Sequence, residues 1–176
     1  MKRSLAIWQF AGFTFTAVLG TLLHFLYEWT QIIAFAPFSA VNESTWEHMK
    51  ILFFPMFIFA LIQSKFFSKD YDNFWCVKLI GILIGTALIA VLFYTYNGVF
   101  GSSPAWVNII IFYLAGGIAF WLETKLLKAG NLPCNSKILP IVILSGISLA
   151  FMLFSFIPPK IPLFQDPVSR LYGIQK

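Results

Sequence analysis

The residues that could carry chemistry are concentrated in two short stretches of the chain. Residues 41–55, VNESTWEHMKILFFP, hold two of the seven carboxylates and one of the two histidines of the whole sequence. Residues 20–31, GTLLHFLYEWTQ, hold the other histidine, His24, together with Glu28. Imidazole and carboxylate groups are ligands of zinc, and they also form acid–base pairs. The two stretches therefore point to a metal site or to a histidine–carboxylate pair.

The first stretch has the spacing of a helix with one polar face. Gly20, His24, Glu28 and Gln31 recur every three or four residues, whereas leucine and phenylalanine occupy the opposite side. Such a polar stripe is expected to point into a helix bundle. Ionisable residues within a membrane helix are costly, so they are functional candidates by default.

The second stretch begins a helix. The sequence STWE matches a capping box, with Ser44 as the N-cap residue and Glu47 at the third helical position. Pro55 is expected to kink this helix and to free a backbone carbonyl. The capping box explains Ser44 and part of the role of Glu47. It leaves Glu43 and His48 without a structural reason.

The elements that must position these residues are membrane helices. The chain is 59% hydrophobic and only 11% charged, against about 25% charged in soluble domains. The composition predicts an all-α, polytopic transmembrane bundle that forms one domain over residues 1–157, followed by a tail over residues 158–176. Five segments have the length and apolar character to cross a bilayer: residues 6–34, 45–64, 77–97, 105–126 and 138–157.

The net charge of +5 is better explained by basic residues that set membrane topology than by nucleic-acid binding. The basic residues flank apolar segments and form no patch with interleaved aromatics, so the partner is the lipid bilayer, not a nucleic acid. One side of the predicted bundle carries eight basic residues: Lys2, Arg3, Lys65, Lys69, Lys78, Lys125, Lys128 and Lys137. The other side carries four: Lys50, Lys160, Arg170 and Lys176. The positive-inside rule then predicts a cytoplasmic N-terminus and an external C-terminus.

This orientation leads to two further predictions at the cytoplasmic side. Cys76 and Cys134 both lie there, where thiols stay reduced, so no disulfide is expected. Glu123, at the inner end of the fourth helix, is expected to pair with Lys125 and Lys128 at the membrane surface.

The first two helices are antiparallel neighbours, which brings the two polar stretches to the same external face. A divalent metal such as zinc is the candidate cofactor, and no other cofactor is implied. Its candidate ligands are His24, Glu28, Glu47 and His48. A wider polar site adds Asn42, Glu43 and, from a tail that could fold back over this face, Asp166. A small polar ligand could occupy the same place.

Small residues predict where helices pack closely. The sequence GILIG places Gly81 and Gly85 four residues apart on the third helix, and small residues let helix backbones approach in lipid. This face suits either a contact within the chain or a homodimer.

Three pieces of the sequence resemble a known group of proteins: HFLYEW, VNESTWEHMKILFFPM and PLFQDPVSRLYGI, with the run N-E-S-x-W-E-H as the most distinctive. The chain resembles, over most of its length, a family of small bacterial integral membrane proteins classed as a domain of unknown function. The resemblance implies a multi-pass protein of the bacterial cytoplasmic membrane. It implies no activity and assigns no site residue.

Three functions remain open from the sequence. The polar cluster could be a hydrogen-bonded pin between helices in a structural or accessory membrane protein. It could bind or carry a small solute or a cation. It could also be the centre of a metal-dependent membrane hydrolase that acts at the outer leaflet.

Overall fold

The computed structural model describes residues 4–174, so Lys2, Arg3 and Lys176, which enter the charge count, lie outside the described residues. The described chain forms five α-helices: α1 (Leu5–Thr30), α2 (Thr45–Phe67), α3 (Phe74–Phe100), α4 (Ala105–Ala129) and α5 (Ile138–Phe156). All five are long and apolar enough to cross a membrane. Residues 4–174 contain no strand beyond an isolated bridge between Gln165 and Tyr172. The prediction of an all-α bundle of five membrane-spanning helices is confirmed.

The first helix is shorter than the sequence suggests, and the third is longer. Helix α1 stops at Thr30 because Gln31 adopts a left-handed backbone conformation with φ 54°, and its amide donates to the Tyr27 carbonyl. A short 3₁₀ turn, Ile33–Phe35, follows. Apolar residues alone did not reveal this break, because the loop that follows is itself rich in isoleucine and phenylalanine.

Helix α2 is the centre of the bundle. In its most apolar 18-residue window 61% of the residues are buried, against 22–39% in the other four helices. It contacts each of the other helices, whereas α5 packs mainly against α2 and α3. The outer surfaces of α1, α3, α4 and α5 carry exposed apolar side chains, as a lipid-facing surface requires.

Consecutive helices alternate in direction, so the bundle has two distinct ends. We call the site end the one that carries residues 31–44, residues 101–104 and residues 157–174 of the tail. We call the disulfide end the one that carries residues 68–73 and 130–137. The polar stretches of the sequence lie at the site end.

The glycine face of α3 is used inside the chain. A Cβ atom added at Gly81 would lie 2.6 Å from Glu123 Oε1, and one added at Gly85 would lie 2.8 Å from Ala119 Cβ, both on α4. Close packing of α3 on α4 therefore depends on these glycines. The face proposed for a homodimer is already covered by α4.

The prediction for Glu123 is wrong. Its side chain is buried and pairs with Lys78 Nζ at 2.5 Å, not with Lys125 or Lys128 at the surface. Gln9 also donates to this carboxylate, at 3.3 Å. Lys78 of α3 and Glu123 of α4 are 45 residues apart in the sequence. The sequence alone could not show that the packing of these two helices brings them together.

The prediction of two reduced cysteines is also wrong. Cys76 and Cys134 form a disulfide that joins the start of α3 to the loop between α4 and α5, with Cα atoms 5.8 Å apart. Lys137 and Asp72 form an exposed ion pair between the same two segments, at 3.1 Å. The prediction considered only the compartment and had no means of placing the two thiols side by side.

Candidate functional site

His48 is held at the start of α2 by the backbone of the N-cap residue. Ser44 Oγ accepts the Glu47 amide at 3.4 Å and so begins the helix, as predicted. The Nδ1 atom of His48 lies 2.9 Å from the Ser44 carbonyl oxygen. A carbonyl can only accept, so Nδ1 carries the proton of this bond. In the neutral ring Nε2 is then left with a free lone pair, which is the arrangement of a metal-binding histidine.

His24 reaches His48 because α1 and α2 approach closely at Gly20, one helical turn before His24. A Cβ at Gly20 would lie 2.9 Å from the Ile51 carbonyl oxygen of α2. Pro55 has no amide hydrogen to offer this carbonyl, four residues earlier, so the oxygen is free to face α1. The centroids of the two imidazole rings are 5.2 Å apart. Glycine and proline thus bring the two histidines together.

The loop between α1 and α2 is anchored beside His24. Ser39 Oγ accepts the Tyr27 amide at 2.9 Å and donates to the Leu23 carbonyl at 2.6 Å. The Ala40 amide donates to the same carbonyl at 3.0 Å. A serine side chain has therefore inserted between two groups of α1 that would otherwise bond to each other. This contact fixes the path of the loop that carries Glu43.

Glu43 lies between the two histidines. Its Oε1 is 3.8 Å from His24 Nε2, and its Oε2 is 3.6 Å from His48 Nε2. These distances are too long for direct hydrogen bonds. The Glu43 side chain is 47% exposed, so the carboxylate is free to adjust. One carboxylate therefore faces two imidazole nitrogens with a gap between them.

The gap has nearly the size of a metal site. One ligand atom from each of His24, Glu43 and His48 lies within 4.8 Å of the others. Tetrahedral zinc with bonds of about 2.0–2.1 Å separates its ligand atoms by about 3.3 Å. The three side chains would have to close by about 1.5 Å or less. The 47% exposed Glu43 side chain can move towards either histidine. His₂Glu with an open fourth position is a ligand set of catalytic zinc.

The C-terminal tail supports Glu43 from behind. The Asp166 carboxylate accepts the backbone amides of Val168, at 2.7 Å, and Ser169, at 3.3 Å, and it also accepts the Glu43 amide. Burial raises the pKa of Asp166, but these hydrogen bonds outweigh it and the pKa is lowered overall. Asn42 Nδ2 donates to the Gly173 carbonyl at 2.8 Å, a second link between loop and tail. Asp166 and Asn42 thus position the loop.

An apolar contact holds the same tail in place. The ring of Phe164 lies 4.5 Å from that of Trp46, centroid to centroid, and it also packs on Phe154 of α5. Phe164 is 5% exposed. The tail is therefore docked on the site end.

The three side chains open into a cavity of about 390 Å³ between α1, α4 and the start of α2. Ligand pockets usually measure roughly 300–1,000 Å³. Thr21 Oγ1 and Tyr113 Oη form a hydrogen bond of 3.2 Å at its wall, and Asn108 Oδ1 is buried there without a hydrogen-bond partner. The lining residues are Gly20, Thr21, His24, Phe25, Glu43, His48, Ile51, Ala105, Asn108, Ile109, Phe112 and Tyr113.

Glu47 belongs to a different network. Its carboxylate pairs with Lys50 Nζ at 2.5 Å, accepts the Ser155 hydroxyl at 3.2 Å and accepts the Val41 amide at 3.1 Å. Lys50 is fully buried and also donates to the carbonyl of Ala36. Glu47 therefore does not form the second hydrogen bond of a capping box, in which the N3 carboxylate accepts the backbone amide of the N-cap residue. This network pins α2 to α5 and to the preceding loop.

The structure brings together only part of the ligand set expected from the sequence. His24 and His48 meet, but Glu28 is exposed on α1 and Glu47 is engaged with Lys50. Glu43, expected only in the wider polar site, completes the cluster. Asn108 and Tyr113 were not among the predicted residues. Asn108 carried a signal, because it is the one amide in the apolar run from Ala105 to Ala119.

Comparison with known proteins gives a family and no activity. The model of a family of unknown function (DUF6512) matches residues 1–174. The match confirms the resemblance to such a family seen in the sequence. No curated protein and no solved structure matches the chain.

Proposed function

We propose a function from the site itself, because the chain belongs to DUF6512, a family of unknown function. In this proposal the protein is a membrane metalloprotein. It binds a divalent cation through His24, Glu43 and His48 and uses the cation to hydrolyse a carbonyl substrate. The observation that carries this proposal is the position of the cluster. Three ligand atoms lie within 4.8 Å of one another at the wall of a ligand-sized cavity.

The donor set favours zinc. Imidazole nitrogens suit zinc, copper, iron and nickel, whereas calcium and magnesium prefer sites made only of oxygen atoms. Two histidines and one carboxylate with an open position occur in zinc hydrolases. A structural zinc site would have four protein ligands, and no fourth histidine, cysteine or acid of residues 4–174 joins this cluster.

Hydrolysis suits the groups around the open position. A bound divalent cation would lower the pKa of water towards 7 and polarise a carbonyl oxygen. If one oxygen of Glu43 is a ligand, its other oxygen is in place to accept a proton from that water. Asn108 and Tyr113, across the cavity, carry groups that can donate hydrogen bonds to the carbonyl oxygen.

The direct test is metal analysis of the purified chain after loading with zinc and removal of the excess. We expect about one zinc per chain in the wild type, loss of zinc in His48→Ala and Glu43→Gln, and retention in Glu28→Gln. Glu28→Gln is the matched control, since it makes the same change on an exposed acid one turn from His24. Hydrolysis of 4-nitrophenyl acetate should follow the zinc content and stop on chelation.

Two results would refute parts of the proposal separately. A wild-type chain that retains no zinc refutes the metal site. A chain that binds zinc through these residues and hydrolyses no ester refutes the activity and leaves the metal site standing.

A second candidate function is binding or transport of a cation or small polar solute in the same cavity. One observation favours it. Apart from the three clustered side chains, the only titratable residue among those lining the cavity is Tyr113. A hydrolase would thus have no carboxylate or imidazole in its cavity other than its metal ligands. Zinc binding without hydrolysis would favour this candidate.

The resemblance to bacterial membrane proteins supports a place in the bacterial cytoplasmic membrane. The excess of basic residues at the disulfide end supports an orientation with the site end outside. The substrate would then be met at the outer leaflet.

A further inference from the structure

The cavity opens sideways, through the surface that faces lipid. Its wall includes Phe25 of α1 and Ile109 and Tyr113 of α4, which are 37%, 56% and 39% exposed. These residues lie within helices that are long and apolar enough to span a membrane. Side chains exposed on such helices contact lipid tails. A molecule dissolved in the bilayer could therefore enter between α1 and α4 without leaving the membrane.

The cluster lies at a depth where lipid carbonyl groups are found. His24 precedes the end of α1, Thr30, by six residues, which corresponds to about 9 Å along the helix. The hydrocarbon core is about 30 Å thick and is bordered by polar interfacial layers. The cluster is thus near one border of the core.

The polarity of the cavity wall changes with depth in the membrane. His24, Glu43 and His48 lie towards the site end, whereas Ile51 and Phe112 form the deeper wall. This arrangement matches a molecule with a polar group at one end and a hydrocarbon tail at the other.

The charged side chains that line the cavity indicate which polar group a bound molecule would carry. Among the residues that line the cavity there is one carboxylate and no lysine or arginine. The nearby Lys50 is already engaged by Glu47, Ser155 and Ala36. Phosphate recognition usually depends on arginine or lysine side chains. A neutral ester or amide fits this wall better than a phosphate ester.

Together these observations extend the proposed function, on which they rest, to a substrate class. We infer that the substrate is a neutral amphiphile, a fatty acyl ester or amide, that enters from the bilayer between α1 and α4. A water oxygen bonds to the acyl carbon, and the bond from that carbon to the ester oxygen or amide nitrogen breaks. One water proton passes to the departing alcohol or amine, and the other product is the fatty acid. No oxidant or reductant is needed.

The test fills the lateral opening. Ile109→Trp places a large side chain at the opening, and Ile110→Trp makes the same change on a neighbouring residue that is 53% exposed and does not line the cavity. The chain is reconstituted in phosphatidylcholine nanodiscs and given 4-nitrophenyl acetate and 4-nitrophenyl dodecanoate. We expect Ile109→Trp to lower the ratio of dodecanoate to acetate hydrolysis at least tenfold, with the ratio unchanged in Ile110→Trp.

A binding measurement keeps the inference testable without turnover. Acetohydroxamate and dodecanohydroxamate both chelate zinc, and only the second has a tail for the opening. In the zinc-loaded chain, Ile109→Trp should weaken the long probe at least tenfold relative to the short one, and Ile110→Trp should not.

The outcomes separate the two proposals. Equal effects of Ile109→Trp on long and short probes, or no effect on either, overturn lateral entry even if zinc-dependent hydrolysis is found. Absence of hydrolysis together with a selective loss of the long hydroxamate refutes the hydrolase and retains an amphiphile-binding metal site.

Discussion

Asp166 illustrates, at the scale of single residues, how a side chain outside the cluster can govern a ligand within it. It accepts the backbone amide of Glu43, one of the three clustered residues, and two amides of its own turn. The lowered pKa means that the stabilisation it provides is present above the ordinary pKa of an aspartate and is lost as pH falls through the lowered value. At neutral pH Asp166 is fully ionised and holds the loop.

Replacing Asp166 by asparagine should therefore weaken zinc binding without unfolding the chain. Residues that hold metal ligands in place typically contribute 10–100-fold in metal affinity, and we expect a loss of roughly tenfold in Asp166→Asn. Zinc affinity measured at pH 7 with a competing chelator gives the answer. Asp70→Asn, an exposed carboxylate at the disulfide end, is the matched control. Equal affinities in the two variants would show that the tail does not position Glu43.

At the scale of elements, α2 is joined to α5 by Ser155, which bonds to both members of a buried ion pair within α2. Lys50 and Glu47 are both buried, with Ser155 bonded to each. Removing one member of a buried pair leaves the other charged and unpaired, which typically costs about 3–5 kcal/mol. The pair therefore has a structural role that is separate from the metal cluster.

Glu47→Gln should lower the thermal unfolding midpoint of the chain in detergent, while the folded fraction keeps its zinc. The matched control is Asp72→Asn, which breaks the exposed pair with Lys137 and should leave the midpoint unchanged, since surface ion pairs contribute little. Circular dichroism on heating and metal analysis after purification measure the two quantities. Loss of zinc from folded Glu47→Gln would place Glu47 among the ligands after all.

The contrast between His48 and Glu47 shows what the sequence could predict. Apolar runs predicted the five helices, and the STWE motif predicted the N-cap of α2. The order of the helices predicted that His24 and His48 would meet. Each of these features depends on local pattern or on topology. Which carboxylate joins them depends on a loop path set by Ser39 and on a tail that returns over more than 120 residues. Local pattern carries no such information, so Glu43 could not be chosen over Glu28 and Glu47.

At the scale of the whole molecule, the two ends of the bundle carry different polar networks. Glu123, Lys78 and two glutamines form a buried cluster near the disulfide end, and the histidine cluster lies at the site end. Two features bear on orientation, and they disagree. Excess basic residues favour a cytoplasmic disulfide end, whereas a disulfide is typical of an oxidising compartment. The two features act at different times, because loop charges direct insertion and a disulfide can form only after the helices have packed.

Loop charge should therefore decide the orientation, with the tail outside and the disulfide end in the cytoplasm. Single cysteines at Val168, which is 81% exposed, and at exposed Asp70 report the two ends when Cys76 and Cys134 are replaced by serine. We expect a membrane-impermeant maleimide to label Val168→Cys in intact cells and Asp70→Cys only after permeabilisation. Neither substitution removes a basic residue, so the charge bias is not weakened. The reverse labelling pattern would place the Cys76–Cys134 bond outside and the metal cluster, with its lateral opening, at the inner leaflet.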